Sequence, residues 1–437
     1  MTFLLGRGRE TVTEESEDIN EERRDDVRGS QTGELGAYVV VVAGSFVYTA
    51  LMFTWFSLPA YLPTIMEDVG LNGTQAGFLA GAVPLTYIPL ALFSGLVVDR
   101  IGPGPSLAIA LLLVGTGQLA RSFATDFLTL LLSTLLLGVG ATVVTFGLPK
   151  LVSVLYPADR TGFPSSIYLV GAAAGSGAAF GLGRPLLGPA LGGWRPLFYW
   201  SGIVTLAYLA VWLWATRLAS LGAPSTTGNR VDLSEIKGDL RIVLTHSQLR
   251  FVVVLGVTYL SILHGLQGWL PTILESRGLS PARAGQTTTL LVGANVAGIL
   301  TIPGLADRFD RRRMAVIGSA GLAGLGVTLL ILGGASSLAV VGILAAGVGV
   351  GGLSPMVRAI PPALDGIGVT LTATAVGLVF AVGEIGGFLG PVLIGGLHDL
   401  TGSYVPGLAI LAASAIAAIA AGMGLNTLDS TAQRGDS

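Results

Sequence analysis

Gly304-Leu305-Ala306-Asp307-Arg308-Phe309-Asp310-Arg311-Arg312-Arg313 is a dense cluster of charge set where one long apolar segment ends and the next begins. Gly95-Leu96-Val97-Val98-Asp99-Arg100-Ile101-Gly102 occupies the same kind of boundary earlier in the chain. Asp307 and Arg308 lie 208 positions after Asp99 and Arg100. The same shift carries Leu62-Pro63-Thr64-Ile65 onto Leu270-Pro271-Thr272-Ile273, and Glu67, Gly70, Leu71, Ala76 and Gly77 onto Glu275, Gly278, Leu279, Ala284 and Gly285. Nine identities in the sixteen positions from Leu62 to Gly77 read as a duplicated half.

The composition says what kind of half is duplicated. Of 437 residues, 51% are hydrophobic and 11% charged, with a mean hydropathy of +0.74. A soluble domain carries about 25% charged residues, so this is an integral membrane protein. Its 64 glycines give many helix faces small enough for close approach in lipid. The absence of cysteine excludes disulfides and thiolate metal sites. A net charge of −2 carries no message about partners, and nothing points to nucleic acid. No cleavable signal is visible. Residues 1–35 hold ten carboxylates and five arginines and read as a disordered acidic cytoplasmic tail.

Apolar runs of about 20 residues number twelve, at approximately 36–60, 75–98, 105–124, 127–149, 164–188, 195–216, 249–272, 284–304, 314–333, 337–357, 369–395 and 403–425. The one long polar gap inside the array, 218–248, has the composition of a linker. It separates a bundle over 36–217 from one over 249–425, and 426–437 form a second tail. The expected fold class is therefore all-α, with twelve transmembrane helices in two pseudo-symmetric six-helix bundles. With the N-terminus cytoplasmic, 19 of the 24 basic residues fall in or beside cytoplasmic segments. Both termini are then cytoplasmic, in the cell membrane. In the fifth span of each half the pattern Gly175, Arg184, Gly188-Pro189 is matched by Gly377, Gly386, Gly390-Pro391, glycines and prolines expected to serve helix packing.

These residues resemble the major facilitator superfamily over about 36–425. Its loop signature runs Gly-x-Leu-Ala-Asp-Arg-x-Gly-Arg-Lys between the second and third spans. Gly95, Asp99, Arg100 and Gly102 fit it, with Pro103 and Gly104 in place of the basic pair. The second copy keeps Leu305, Ala306, Asp307, Arg308, Arg311 and Arg312, with Pro303 and Asp310 replacing the glycines. The resemblance implies alternating access, with Asp99 accepting from the N-terminal amides of the eleventh helix and Asp307 doing the same against the fifth. Such contacts latch the cytoplasmic side shut.

Within the superfamily, Trp269-Leu270-Pro271-Thr272-Ile273-Leu274-Glu275-Ser276-Arg277-Gly278-Leu279-Ser280 and Tyr61-Leu62-Pro63-Thr64-Ile65 look like the cyanate and nitroimidazole transporter group. Nitrate porters place an arginine in the second and eighth spans, and none stands there before Arg100 and Arg308. Proton-coupled drug antiporters carry an arginine four residues before a glycine in the fourth span. Here Thr134 holds that place before Gly138.

Charge inside lipid costs about 2.5–3.5 kcal/mol on insertion scales, so a census of ionisable groups is informative. Among the carboxylates only Glu384 lies well inside a span, where it is expected to be protonated unless water or a cation reaches it. It is the candidate proton site. His264, the histidine within a span, shares a face with Ser261 and Gln267 by its three-residue spacing. The resemblance implies that spans one, four, seven and ten line the cavity, making His264 a candidate substrate donor or proton relay. Arg184, near the outer end of the fifth span, is either snorkelling or an anion-attracting gate. Lys150 reads as an interfacial anchor. Tyr48, Met52 and Trp55, with Phe53 beside them, are substrate wall or packing, and Asn295 bonds another helix or touches substrate.

The sum is a secondary active transporter and not an enzyme, with no cofactor and no metal. It is expected to move a small anion or polar organic molecule, cyanate-like, inward with H+. Efflux of an apolar organic compound is the alternative, and a non-transporting membrane sensor the third. A monomer is expected, since each chain would hold a complete pathway.

Overall fold

The computed structural model describes residues 7–218, 245–364 and 367–425. The expected linker lies almost wholly outside the described residues, as does the C-terminal tail. Twelve helices follow: α1 (Arg7–Val69), α2 (Gly73–Ile101), α3 (Pro103–Phe123), α4 (Phe127–Leu155), α5 (Gly162–Leu191), α6 (Trp194–Leu218), α7 (Leu249–Ser276), α8 (Pro281–Arg308), α9 (Arg312–Gly333), α10 (Ser337–Ala359), α11 (Gly368–Thr401) and α12 (Val405–Gly424). Eleven contain straight segments long and apolar enough to cross a membrane, and α2 passes the same test bent by 65° between Ala91 and Phe93, just past Pro89. The twelve apolar runs correspond one to one with these helices.

α1 begins at Arg7, ahead of the first apolar run, so its helix takes in the acidic segment. Glutamate and arginine are good helix formers, and Glu21 with Arg24 and Asp25 with Arg28 carry opposite charges three residues apart, a stabilising spacing. High charge argued against a packed core there, not against a helix.

The duplicated half is visible in side-chain contacts. Tyr61 Oη donates to the Gly183 carbonyl at 3.0 Å, and Trp269, 208 positions after Tyr61, donates its indole N–H to the Pro391 carbonyl at 2.8 Å. The first contact joins α1 to α5 and the second joins α7 to α11. Gly183 and Pro391 are also 208 apart. The glycine pattern suggested a different register, pairing Pro189 with Pro391. Between Gly183 and Pro189 runs part of a π-helical stretch, Ala179–Leu187. Pro185 has no N–H and crowds the carbonyl four residues back, and the widened turn lets Gly188 N–H reach Gly183 O.

Repeat glycines sit where backbone demands them. Gly70 and Gly278 follow α1 and α7 with φ of 73° and 90°, a region only glycine enters freely. Gly77 and Gly285 mark the two tight crossings between the halves. A Cβ at Gly77 would lie 2.6 Å from the Pro391 carbonyl oxygen, and one at Gly285 would collide with the Phe180 carbonyl. With Gly73 and Gly81, Gly77 forms a small-residue stripe on α2 against α11, the geometry that lets lipid-embedded helices pack backbone to backbone.

Candidate functional site

Glu384 is 6% exposed on α11, and its Oε2 lies 3.6 Å from Nε2 of His264 on α7. That oxygen has no hydrogen-bond partner among the described residues. The His264 ring stacks on Trp55 of α1, centroids 5.6 Å apart and planes 11° from parallel. Three helices from both halves thus bring one carboxyl, one imidazole and one indole together. An orphaned buried acceptor is unfavourable, so this cluster is suited to holding and passing a proton. The sequence singled out all three residues but not their contact, because nothing in the chain reveals that α7 and α11 are neighbours.

Trp55 also touches Tyr87, centroids 6.3 Å apart, whose hydroxyl meets Thr145 at 2.8 Å. Tyr48, half-buried, lies tilted against Tyr168 at 6.2 Å. Phe53 turns toward Gly183 on α5. Ser261 and Gln267 are buried with His264, but the Ser261 carbonyl packs on Gly390, which places that residue at the α7–α11 seam. Asn295 lies at the α8–α10 seam, its carbonyl against Gly351 and its Nδ2 buried without a partner among the described residues. Gly188 lets Tyr61 approach the closing turn of α5, in which Pro189 sits.

Arg184 does not snorkel. It is 7% exposed, donates to Thr64 at 2.6 Å, makes two 3.0 Å bonds to the Glu275 carboxylate, and lies over the Tyr61 ring. A half-buried partner on α7 holds it there, and the pair joins the two halves where α1 and α7 end. A second bond between the halves was not foreseen. Asp399, in the last turn of α11, accepts from Gly73 N–H, Thr74 N–H and the Thr74 hydroxyl at 2.6–2.7 Å. A carboxylate is unfavourable at its own helix C-terminus and favourable at another helix's N-terminus. That local conflict was the signal available in the sequence.

The loop signatures make local contacts instead of the expected latch. Asp99 pairs with Lys150 at 2.7 Å and Asp307 with Arg312 at 2.9 Å, all four well exposed. Lys150 is therefore an ion-pair partner within its own half. Gly95 has open space where a Cβ would be, and Gly102, with φ of 84°, turns the chain from α2 into α3. Arg308 lies near Phe309, Arg311 lines a cleft of about 590 Å³ between α8 and α9, and Arg100 is exposed. Among the described residues, the ion pair and the Asp399 hydrogen bonds between the halves lie at the ends where α1, α7 and α11 finish.

Another cation escaped the reading of the sequence. Arg121 of α3 is fully buried and donates to Thr134 at 3.0 Å, to the Thr54 carbonyl and to Gln118. The guanidinium absent from position 134 is thus supplied beside it from the neighbouring helix.

Comparison with known proteins adds the following. A family model described as Major Facilitator Superfamily matches residues 44–391. The chain is 28% identical over 365 residues to the gallate transporter of Pseudomonas putida, covering 77% of this chain and 80% of that protein. It is 28% identical over 398 residues to the 2-nitroimidazole transporter of Escherichia coli (strain K12), covering 85% and 92%. Among solved structures, an inward-facing, unoccupied bacterial homologue of the human lysosomal transporter Spinster superposes with a TM-score of 0.69 at 17% identity, over 90% of this chain and 96% of that one.

Proposed function

This chain belongs to the major facilitator superfamily and is a multi-pass membrane transporter, not an enzyme; from that premise we propose that it carries a small organic anion into the cell together with protons. Alternating access moves the cargo, with both termini cytoplasmic and one complete pathway per monomer. The observation that carries the coupling is the buried pair of His264 and Glu384, 3.6 Å apart. A carboxylate held away from water is costly unless neutralised, so Glu384 takes a proton or a cationic neighbour before the halves can close over it. The cargo class is supported by the inventory of rings and hydroxyls around Trp55, and by relatives named for gallate and 2-nitroimidazole, both small ring compounds. A cyanate-sized ion would leave most of that aromatic wall untouched.

The test is transport by the purified chain in liposomes under an imposed proton gradient. Glu384→Gln keeps the shape and hydrogen-bonding capacity of the protonated acid but cannot release a proton. It is expected to abolish gradient-driven accumulation while preserving exchange of cargo across the membrane. Accumulation that survives the substitution overturns the coupling role. Efflux of an apolar compound is favoured by one observation, the Arg121 guanidinium beside Thr134. The direction of gradient-driven movement in the same liposomes decides between the two readings.

A further inference from the structure

Arg358, near the cytoplasmic end of α10, belongs by sequence with the arginines that anchor helix ends. Its surroundings are different. Helix side chains tilt toward the helix N-terminus, and α10 runs inward in the orientation proposed above. Arg358 accordingly points back toward the middle of the bundle, donating to the Ser354 carbonyl at 3.2 Å and to the Ser354 hydroxyl at 2.7 Å. The guanidinium lies 4.6 Å from the ring centroid of Phe380, one helical turn below Glu384 on α11. Tyr48 of α1, Tyr168 of α5, Tyr259 of α7 and Glu384 lie within electrostatic reach of the same guanidinium.

That guanidinium is exposed and has no ion-pair partner among the described residues. The two buried arginines are occupied: Arg184 by Glu275, and Arg121 by Thr134, Gln118 and a carbonyl. The residues around Arg358 are otherwise rings. Phe380 and Tyr48 are half-buried, and Tyr259 is buried. A planar cation with no ion-pair partner among the described residues, of a kind that pairs bidentately with carboxylates, set among aromatic faces that prefer to meet another ring, defines a ligand with both features.

We propose that Arg358 is the anion-binding residue of the transport pathway and that its cargo is an aromatic monocarboxylate, the carboxylate on Arg358 and the ring against Phe380 and Tyr48. This rests on the transporter reading above and deepens it. It gives the pathway two stations about one helical turn apart: a carboxylate station at Arg358 and a proton station at Glu384 and His264.

The experiment is direct binding to the purified full chain, by calorimetry, using benzoate, its neutral isostere benzamide, and acetate. Benzoate is expected to bind at least ~10-fold tighter than either of the others, about 1.4 kcal/mol. Arg358→Gln should erase the preference of benzoate over benzamide while leaving benzamide affinity unchanged, and Arg358→Lys should retain part of it. Phe380→Leu should weaken benzoate and benzamide together and leave acetate unaffected. Retention of the benzoate preference in Arg358→Gln overturns the assignment. So does equal loss of benzamide binding in a variant whose melting temperature is unchanged. Acetate binding as tightly as benzoate overturns the aromatic class. The outcomes separate from those of the coupling test: Glu384→Gln should still bind benzoate with the Arg358-dependent preference. Accumulation of some other anion with protons, without benzoate binding, removes the cargo assignment and leaves the transporter standing.

Discussion

At the scale of single residues, the chain's few ionisable groups inside helices carried most of the legible information. Glu384 stood out because insertion into lipid is costly for a carboxyl group, and it lies beside the histidine that stood out for the same reason. Their contact could not be read, since a linear sequence does not say which helices adjoin. Arg184 was left between snorkelling and an outer gate for that reason. Its position near a helix end fitted snorkelling until Glu275 on α7 was found within 3.0 Å. The pair also isolates one test at this scale. His264→Phe keeps a flat, somewhat larger ring against Trp55 and removes both ring nitrogens, among them the Nε2 that faces Glu384. Stability should change by less than about 1.5 kcal/mol, as for a swap that nearly conserves volume, read as a melting curve. Gradient-driven accumulation should fall, with cargo exchange retained. Loss of both activities together would mean that the histidine positions cargo and is no part of the proton step.

Elements were legible where their period and punctuation agreed. Twelve apolar runs gave twelve helices, and the identities 208 residues apart proved to be functional parts of the repeat: Gly70 and Gly278 end helices, while Gly77 and Gly285 make the crossings between halves. The register of the fifth span was not legible. Its glycine and proline spacing matched the eleventh, but the π-helical stretch Ala179–Leu187 displaces the contacts that matter, and such insertions leave no periodic trace. Nor was the extension of α1 through the acidic segment. Charge density forbids burial and leaves helix formation open, so composition alone could not decide it. The crossing at Gly77 yields a stability prediction with an internal control. Gly77→Val places methyl groups against the Pro391 carbonyl and the Val392 backbone, and overpacking of this kind costs about 1–3 kcal/mol. Gly95→Val, where nothing lies within 4 Å of the added Cβ, should change stability by under about 1 kcal/mol, since valine is if anything the better helix former. Equal melting temperatures for the two variants would show that α2 and α11 are not held together at this crossing.

At the scale of the molecule, the halves are joined at one end, and the signature carboxylates are spent locally at the other. Asp399 caps α2, Arg184 clasps Glu275, while Asp99 and Asp307 pair with Lys150 and Arg312. If each set of carboxylates latches its own side, the two sets work against each other. The α2–α11 pair then has a carboxylate at either end, Asp399 outside and Asp99 inside, each able to cap the other helix's N-terminus in one of two conformations. Removing a cap of this kind shifts an equilibrium by about 1–2 kcal/mol, a factor of 5–30 in population. The natural chain has no cysteine, so one introduced thiol reports access without background. Phe53→Cys, on a half-buried position of α1 facing α5, should react with a membrane-impermeant maleimide mainly from the cytoplasmic side. Asp399→Asn in that background should raise labelling from outside several-fold, because the outward-open state gains population. Asp99→Asn should do the reverse and slow whatever outside labelling exists. If both substitutions move labelling in the same direction, the carboxylates are fold elements and not opposed latches, and the energy that alternates the two states must be sought in the helix crossings at Gly77 and Gly285.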